Sequence, residues 1–157
     1  MTDYLYDAFD FTPEYRERLV EMLRQNTNLE MGGYKLFDGN YSHAIQIPEE
    51  FADFIIELKR LEQDFGPPKR MLEVGFAAGI TNTILNKFFK FDEVVAIDTF
   101  NGPAYGQILW ANLRFKNLTL LCGDSGSDRI IANAKALGPF DLIFIDADHS
   151  YDGVTRD

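Results

Sequence analysis

Apolar residues recur along this chain at two different spacings. Up to about residue 65 they fall at helical intervals, and beyond residue 70 short apolar runs alternate with helical stretches. Thr12-Pro13-Glu14 reads as a helix start, with Thr as cap, Pro in the first turn and Glu against the helix dipole. Tyr15, Leu19, Met22 and Leu23 then share one face, and Asn26 to Asn28 close the helix. Pro48-Glu49-Glu50 opens a second helix carrying Phe51, Phe54, Ile55, Leu58, Leu61 and Phe65 on one stripe. Gly66-Pro67-Pro68 stops it.

Four apolar runs read as buried strands: Leu72 to Phe76, Glu93 to Ile97, Leu118 to Cys122 and Phe140 to Ile145. Between them lie three helices. The first spans Ile80 to Phe89 and the second Gln107 to Lys116, where Trp110 reads as a sheet-packing aromatic. The third starts at Ser127-Asp128, is carried by Ile130, Ile131, Ala134 and Leu137, and ends at Gly138-Pro139. A β-α-β-α-β-α-β order predicts an α/β fold, a doubly wound parallel sheet with helices on both faces. Residues 1–11, acidic and aromatic, read as an extended arm that needs a partner surface. Residues 29–47 read as a loop, in which Tyr34, Tyr41 and His43 either shape a lid over a site or are ordinary surface residues. The division is thus 1–47, arm, helix and loop, and 48–157, the α/β core.

The first strand runs into Glu73-x-Gly75-Phe76-Ala77-x-Gly79. A glycine turn between strand and helix aims backbone N–H groups and the positive helix end at one spot, where an anionic group can rest. The dinucleotide fingerprint G-x-G-x-x-G would require glycine at 77 and 80, where Ala77 and Ile80 stand, so a nicotinamide oxidoreductase is disfavoured. The second strand ends in Asp98-Thr99, the third in Gly123-Asp124-Ser125, and the fourth in Asp146-Ala-Asp148-His149-Ser150. Ligands of open α/β sheets gather outside such carboxyl ends.

From Glu73 onward the chain resembles the core of the class I S-adenosylmethionine-dependent methyltransferases, and its fourth motif is similar to that of small-molecule O-methyltransferase relatives. The family's common first motif has a further glycine where Ala77 sits. The resemblance implies a Rossmann-like, three-layer sheet of strand order 3-2-1-4. It also implies that Glu73, Gly75, Phe76, Ala77 and Gly79 surround the methionine part of S-adenosylmethionine, that Asp98 with Thr99 holds the ribose, and that Asp124 and Ser125 flank the adenine. Asp146 would face the transferring methyl group. The reaction implied is methyl transfer to a small-molecule acceptor, at oxygen, with His149 as base or with Asp146 holding a divalent metal such as Mg. A cofactor-binding module without turnover is the alternative. The fourth motif also occurs in hydroxylases of antibiotic nuclei that share the fold. Members of the family have seven strands, so four strands are expected to be a fragment with an uncovered fourth strand, open to self-association into a homo-oligomer.

Composition narrows the partners. Fifteen basic against twenty-five acidic residues give a net charge of −10, which excludes a phosphate backbone as the natural partner. No apolar run approaches the ~18 residues of a membrane span, and the acidic, aromatic start does not read as a signal peptide. The single cysteine, Cys122, reads as a small core residue, which makes the cytoplasm the default expectation.

Overall fold

The computed structural model describes residues 3–25, 46–77, 79–100 and 116–157. Its elements are α1 (Asp3–Asp7), α2 (Pro13–Gln25), α3 (Pro48–Phe65), β1 (Arg70–Val74), α4 (Ile80–Phe89), β2 (Glu93–Asp98), β3 (Leu118–Cys122), α5 (Asp128–Leu137), β4 (Leu142–Ile145) and α6 (Tyr151–Arg156). The expected loop with Tyr34, Tyr41 and His43, and the expected helix carrying Trp110, lie outside the described residues.

All four strands pair in parallel in the order β3-β2-β1-β4, the expected Rossmann-like arrangement. Parallel strands need crossover connections, and those connections cover both faces. One layer is built on α2, α3 and α4, whose Leu19, Leu23, Ile55, Leu85 and Phe88 pack with Met71 of β1 and Val94 of β2. On the opposite face Leu72, Val74, Val95 and Ile97 meet Ile130 and Ala134 of α5. Alternate residues of β1 therefore serve opposite layers, and Glu73 shares the parity of Met71.

β1 begins and ends two residues earlier than its apolar pattern suggests. Asp141 accepts the Lys69 and Arg70 N–H groups at 2.7 and 2.9 Å, pinning the strand's start beside β4. Gly75, with φ +92°, already leaves the strand direction. Helix caps follow the sequence: the Thr12 hydroxyl accepts from Tyr15 N–H at 3.3 Å, and the Ser127 hydroxyl from Ile130 N–H at 3.4 Å.

Three expectations are corrected. The amino-terminal arm is no extended strap: α1 packs on the chain's own core, with Leu5 buried and the Tyr6 ring edge-on to Phe88 at 4.7 Å. Cations sit over its rings, Lys87 4.8 Å from the Tyr6 centroid, Lys59 5.9 Å from Phe9 and Arg60 5.9 Å from Phe11. Cys122 is exposed, because it closes β3, an edge strand of the described sheet. The α3 stripe is buried only in its first half; Leu61 and Phe65 face outward.

β4 occupies the other edge, with Ile143 54% and Ile145 46% exposed. Leu72, Val74, Ile97, Ile131, Phe140 and Ile143 line an open apolar groove of about 590 Å³ between the sheet and α5. No described helix is long and apolar enough to cross a membrane.

Candidate functional site

In this strand order the chain moves outward from β1 to β3 and then returns to the other side of β1, so the topological switch point lies between β1 and β4. That is where open α/β sheets bind ligands, outside the carboxyl ends. Gly75 and Asp146 stand there, one after each strand. Gly75 N–H donates to Ile97 O at 2.8 Å, and Asp146 N–H to Val74 O at 2.8 Å, so both strand ends are tied to their neighbours.

The turn itself requires left-handed backbone at three of its residues: Gly75 (φ +92°), Ala77 (φ +45°) and Gly79 (φ +71°). Ala77 thus adopts a conformation that glycine takes without cost, at the position where the resembled motif carries its extra glycine. Asp98 holds the turn in place. Its Oδ2 accepts from Phe76 N–H at 2.9 Å and Ala77 N–H at 2.8 Å, while its Oδ1 accepts from Phe100 N–H at 2.8 Å. A carboxylate offers about four acceptor sites, and with three taken Asp98 keeps about one for a ligand hydroxyl. The side chain is half-buried at the sheet's edge, and Thr99 beside it is exposed.

The Phe76 ring is buried against Gly79, where an added Cβ would lie 2.4 Å from the ring tip, and tilts on Phe100 at 6.1 Å. α4 then begins with Gly79 as its cap residue, which offers no side-chain acceptor. Its first described intrahelical bond runs from Thr83 N–H to Gly79 O at 2.9 Å. Gly79 N–H itself donates to Phe76 O at 2.8 Å, and the N–H groups of a helix's first turn point, with the positive end of its dipole, where a carboxylate would be stabilised.

Glu73 is 1% exposed on β1 and accepts from Asn82 Nδ2 of α4 at 2.8 Å. Burial, with smaller contributions from the charges of Asp146 and Asp98, pushes its carboxyl up to about 8; the Asn82 bond opposes the shift. At neutral pH this acid is therefore mostly protonated. Asn82 was not among the residues singled out from sequence. The signal was present: it falls with Leu85 and Phe89 on the buried stripe of α4, a polar residue in an apolar row.

At the β4 end, Asp146 Oδ1 lies 3.0 Å from His149 Nε2, and Asp146 Oδ2 accepts from the Gln46 side chain. Asp146 is mostly covered, whereas the imidazole is 78% exposed. Asp148 turns away to accept Ser150 N–H at 2.9 Å, which holds its carboxyl below the usual range. Gln46 was not visible to sequence reasoning, since 100 residues separate it from Asp146. No group of three or more His, Cys, Asp or Glu placed to hold a metal occurs among the described residues. Both Asp146 oxygens have partners within the chain, His149 Nε2 and the Gln46 side chain.

The residues expected to flank an adenine face a different neighbour. Asp124 Oδ1 accepts from Gly126 N–H at 3.0 Å and lies 3.6 Å from the Arg156 guanidinium, and the Ser125 hydroxyl donates to Asp157. Both residues are joined to α6 and the residue after it, while Gly123 beside them donates its N–H to Asp98 O at 2.9 Å, which ties the end of β3 to the end of β2.

No family model and no curated protein matches the chain. Solved structures overlap it weakly. A protein-L-isoaspartate O-methyltransferase aligns at 18% identity and a TM-score of 0.45, over 83% of this chain and 47% of its own. A Klebsiella pneumoniae protein assigned by inference to the O-methyltransferases aligns at 23% and 0.44, over 93% and 59%. The N-methyltransferase NodS of Bradyrhizobium japonicum, solved with S-adenosyl-L-homocysteine, aligns at 21% and 0.37, over 69% and 49%. The chain spans about half the length of these structures. At such overlaps the functional reading rests on the residues of the site.

Proposed function

We propose that the chain binds S-adenosylmethionine at the β1–β4 switch point and serves methyl transfer to a small-molecule acceptor, at oxygen. The observation that carries this reading is the glycine turn after β1, held through Phe76 and Ala77 N–H by the Asp98 carboxylate at the end of β2. The residues present suit the cofactor's parts. N–H groups at the start of α4 would take its carboxylate, Asp98 a ribose hydroxyl, and the carboxylates of Asp98 and Asp146 favour a cation.

When bound, S-adenosylmethionine supplies an electrophilic methyl group. What the chain adds is alignment and a base. With Nε2 of His149 facing Asp146, its Nδ1 is the nitrogen left to accept the acceptor's hydroxyl proton, and the Asp146 carboxylate stabilises the imidazolium so formed.

Calorimetry with S-adenosylmethionine and NAD tests the reading, and binding of NAD alone would overturn it. Asp98→Ala is expected to weaken S-adenosylmethionine binding by about 10- to 100-fold, the loss of a charge-assisted hydrogen bond to a hydroxyl. His149→Ala is expected to lower turnover against a hydroxylated acceptor by about 100-fold or more, with cofactor affinity unchanged. Unchanged turnover would remove His149 as the base.

A further inference from the structure

Asn82 Oδ1 is one of the few buried side-chain atoms of the described residues that has no hydrogen-bond partner. Its residue is 1% exposed, and the same amide already donates through Nδ2 to Glu73 Oε2. A buried acceptor of this kind costs about 1–3 kcal/mol unless something donates to it. Glu73 can do so if it carries a proton. A carboxylic acid facing a primary amide offers a matched pair of bonds, amide N–H to one carboxyl oxygen and carboxyl O–H to the amide oxygen.

The surroundings favour that neutral form. The side chain is buried, and the charged groups acting on it are the anions Asp98 at the end of β2 and Asp146 at the end of β4; α4 offers only the neutral Asn82. Among the described residues the Asn82 N–H bond only partly offsets an ionised Glu73, and no positive charge acts on it.

We propose that Glu73 and Asn82 form a neutral acid–amide pair while the site is empty, and that a cationic ligand ionises the pair, so that binding releases a proton to solvent. Asn82 is then a positioning residue, acting through Glu73. The proton balance is simple: the Glu73 O–H bond breaks, the proton passes to buffer, and the carboxylate keeps the Asn82 Nδ2–H bond while its charge faces the ligand's cation. The pair also discriminates by charge. S-adenosylmethionine and the thioether left after methyl transfer both keep the amino-acid ammonium, but only the sulfonium adds a positive charge at sulfur to meet the ionised carboxylate, so the product is held less tightly. The ligand half rests on the proposed S-adenosylmethionine site; the neutral pair does not.

Two measurements on the whole chain test the halves separately. Infrared difference spectra of ligand-free wild type against Glu73→Gln report the protonation of this carboxyl. A protonated signal at pH 7 is expected, and an ionised carboxylate there would overturn the pair. Titration calorimetry with S-adenosylmethionine at pH 7, repeated in phosphate and Tris, counts protons. Release close to one proton per site is expected for wild type and none for Glu73→Gln, with S-adenosylhomocysteine releasing far less. Equal heats in both buffers for wild type would overturn the linkage. Asn82→Leu removes the bond that supports the ionised form, so S-adenosylmethionine binding is expected to weaken about tenfold while the carboxyl stays protonated to higher pH. Unchanged affinity and titration would remove the role of Asn82. Absence of any heat with S-adenosylmethionine would overturn the proposed function and the linkage together, while the ligand-free spectra still decide the pair.

Discussion

Replacing Gly75 with alanine is expected to destabilise the fold by about 3 kcal/mol or more and to abolish cofactor binding. The reason is geometric and twofold. An added Cβ would lie 2.1 Å from the Asp146 carbonyl oxygen, 2.6 Å from its carbon and 2.8 Å from the Ala147 Cα, all backbone atoms that no side-chain rotation can move. The φ of +92° is also one that alanine resists. Relief requires prying the end of β4 from the end of β1, and those two ends define the switch point. Gly79→Ala is the instructive comparison. Its φ of +71° also strains an alanine, but the nearest atoms to its Cβ belong to the Phe76 ring, at 2.4 Å and beyond, and a side chain can yield where backbone cannot. Urea unfolding of the two variants checks the ranking, and a Gly75→Ala protein as stable as wild type would contradict the packing of β1 on β4.

The second large effect is a pH dependence of stability centred on Glu73. An acid whose ionisation lies near 8 in the fold, against an ordinary 4.5, binds its proton more tightly folded than unfolded. Stability from this group is therefore fully present below about pH 4.5 and is lost as pH rises through 8. Other titrating groups superimpose their own slopes, so the useful quantity is the difference from Glu73→Gln, which keeps the shape and loses the charge. Between pH 5 and 9 the wild type is expected to lose stability relative to that variant, on the order of 3 kcal/mol. Parallel stability curves would mean that Glu73 ionises as freely in the fold as in the open chain.

The sheet was readable from sequence because parallel strands buried on both faces appear as compact apolar runs, as Glu93 to Asp98 does, and Leu118 to Cys122 keeps that apolar run although it is only part-buried at the sheet's edge. Helix ends were readable where their signals are local: Pro48 and Gly66 around α3, and Ser127 and Gly138 around α5. The start of β1 was not, because an aspartate some 70 residues later fixes it. The arm was misread for a related reason. Its aromatic residues do need a surface, but Phe88, Lys59 and Lys87 of the same chain supply one.

Within the site, the strand-end residues were recoverable one by one, since each follows an apolar run. Their mutual arrangement was not. Nothing in the order of residues shows that Asp98 would spend itself on the Phe76 and Ala77 N–H groups, or that Gln46 would take one oxygen of Asp146. Asn82 was readable in principle, as a polar intrusion in an apolar row, once its proximity to Glu73 is known.

The outer rim of β4 carries a consequence for handling the protein. Ile143 and Ile145 offer a greasy border on a strand that is an edge among the described residues, the kind of surface on which copies stack. At neutral pH ten surplus negative charges keep molecules apart. Near the isoelectric point of about 4.6 that mutual repulsion vanishes, and the same acidity that keeps Glu73 neutral leaves the rim free to seed precipitation.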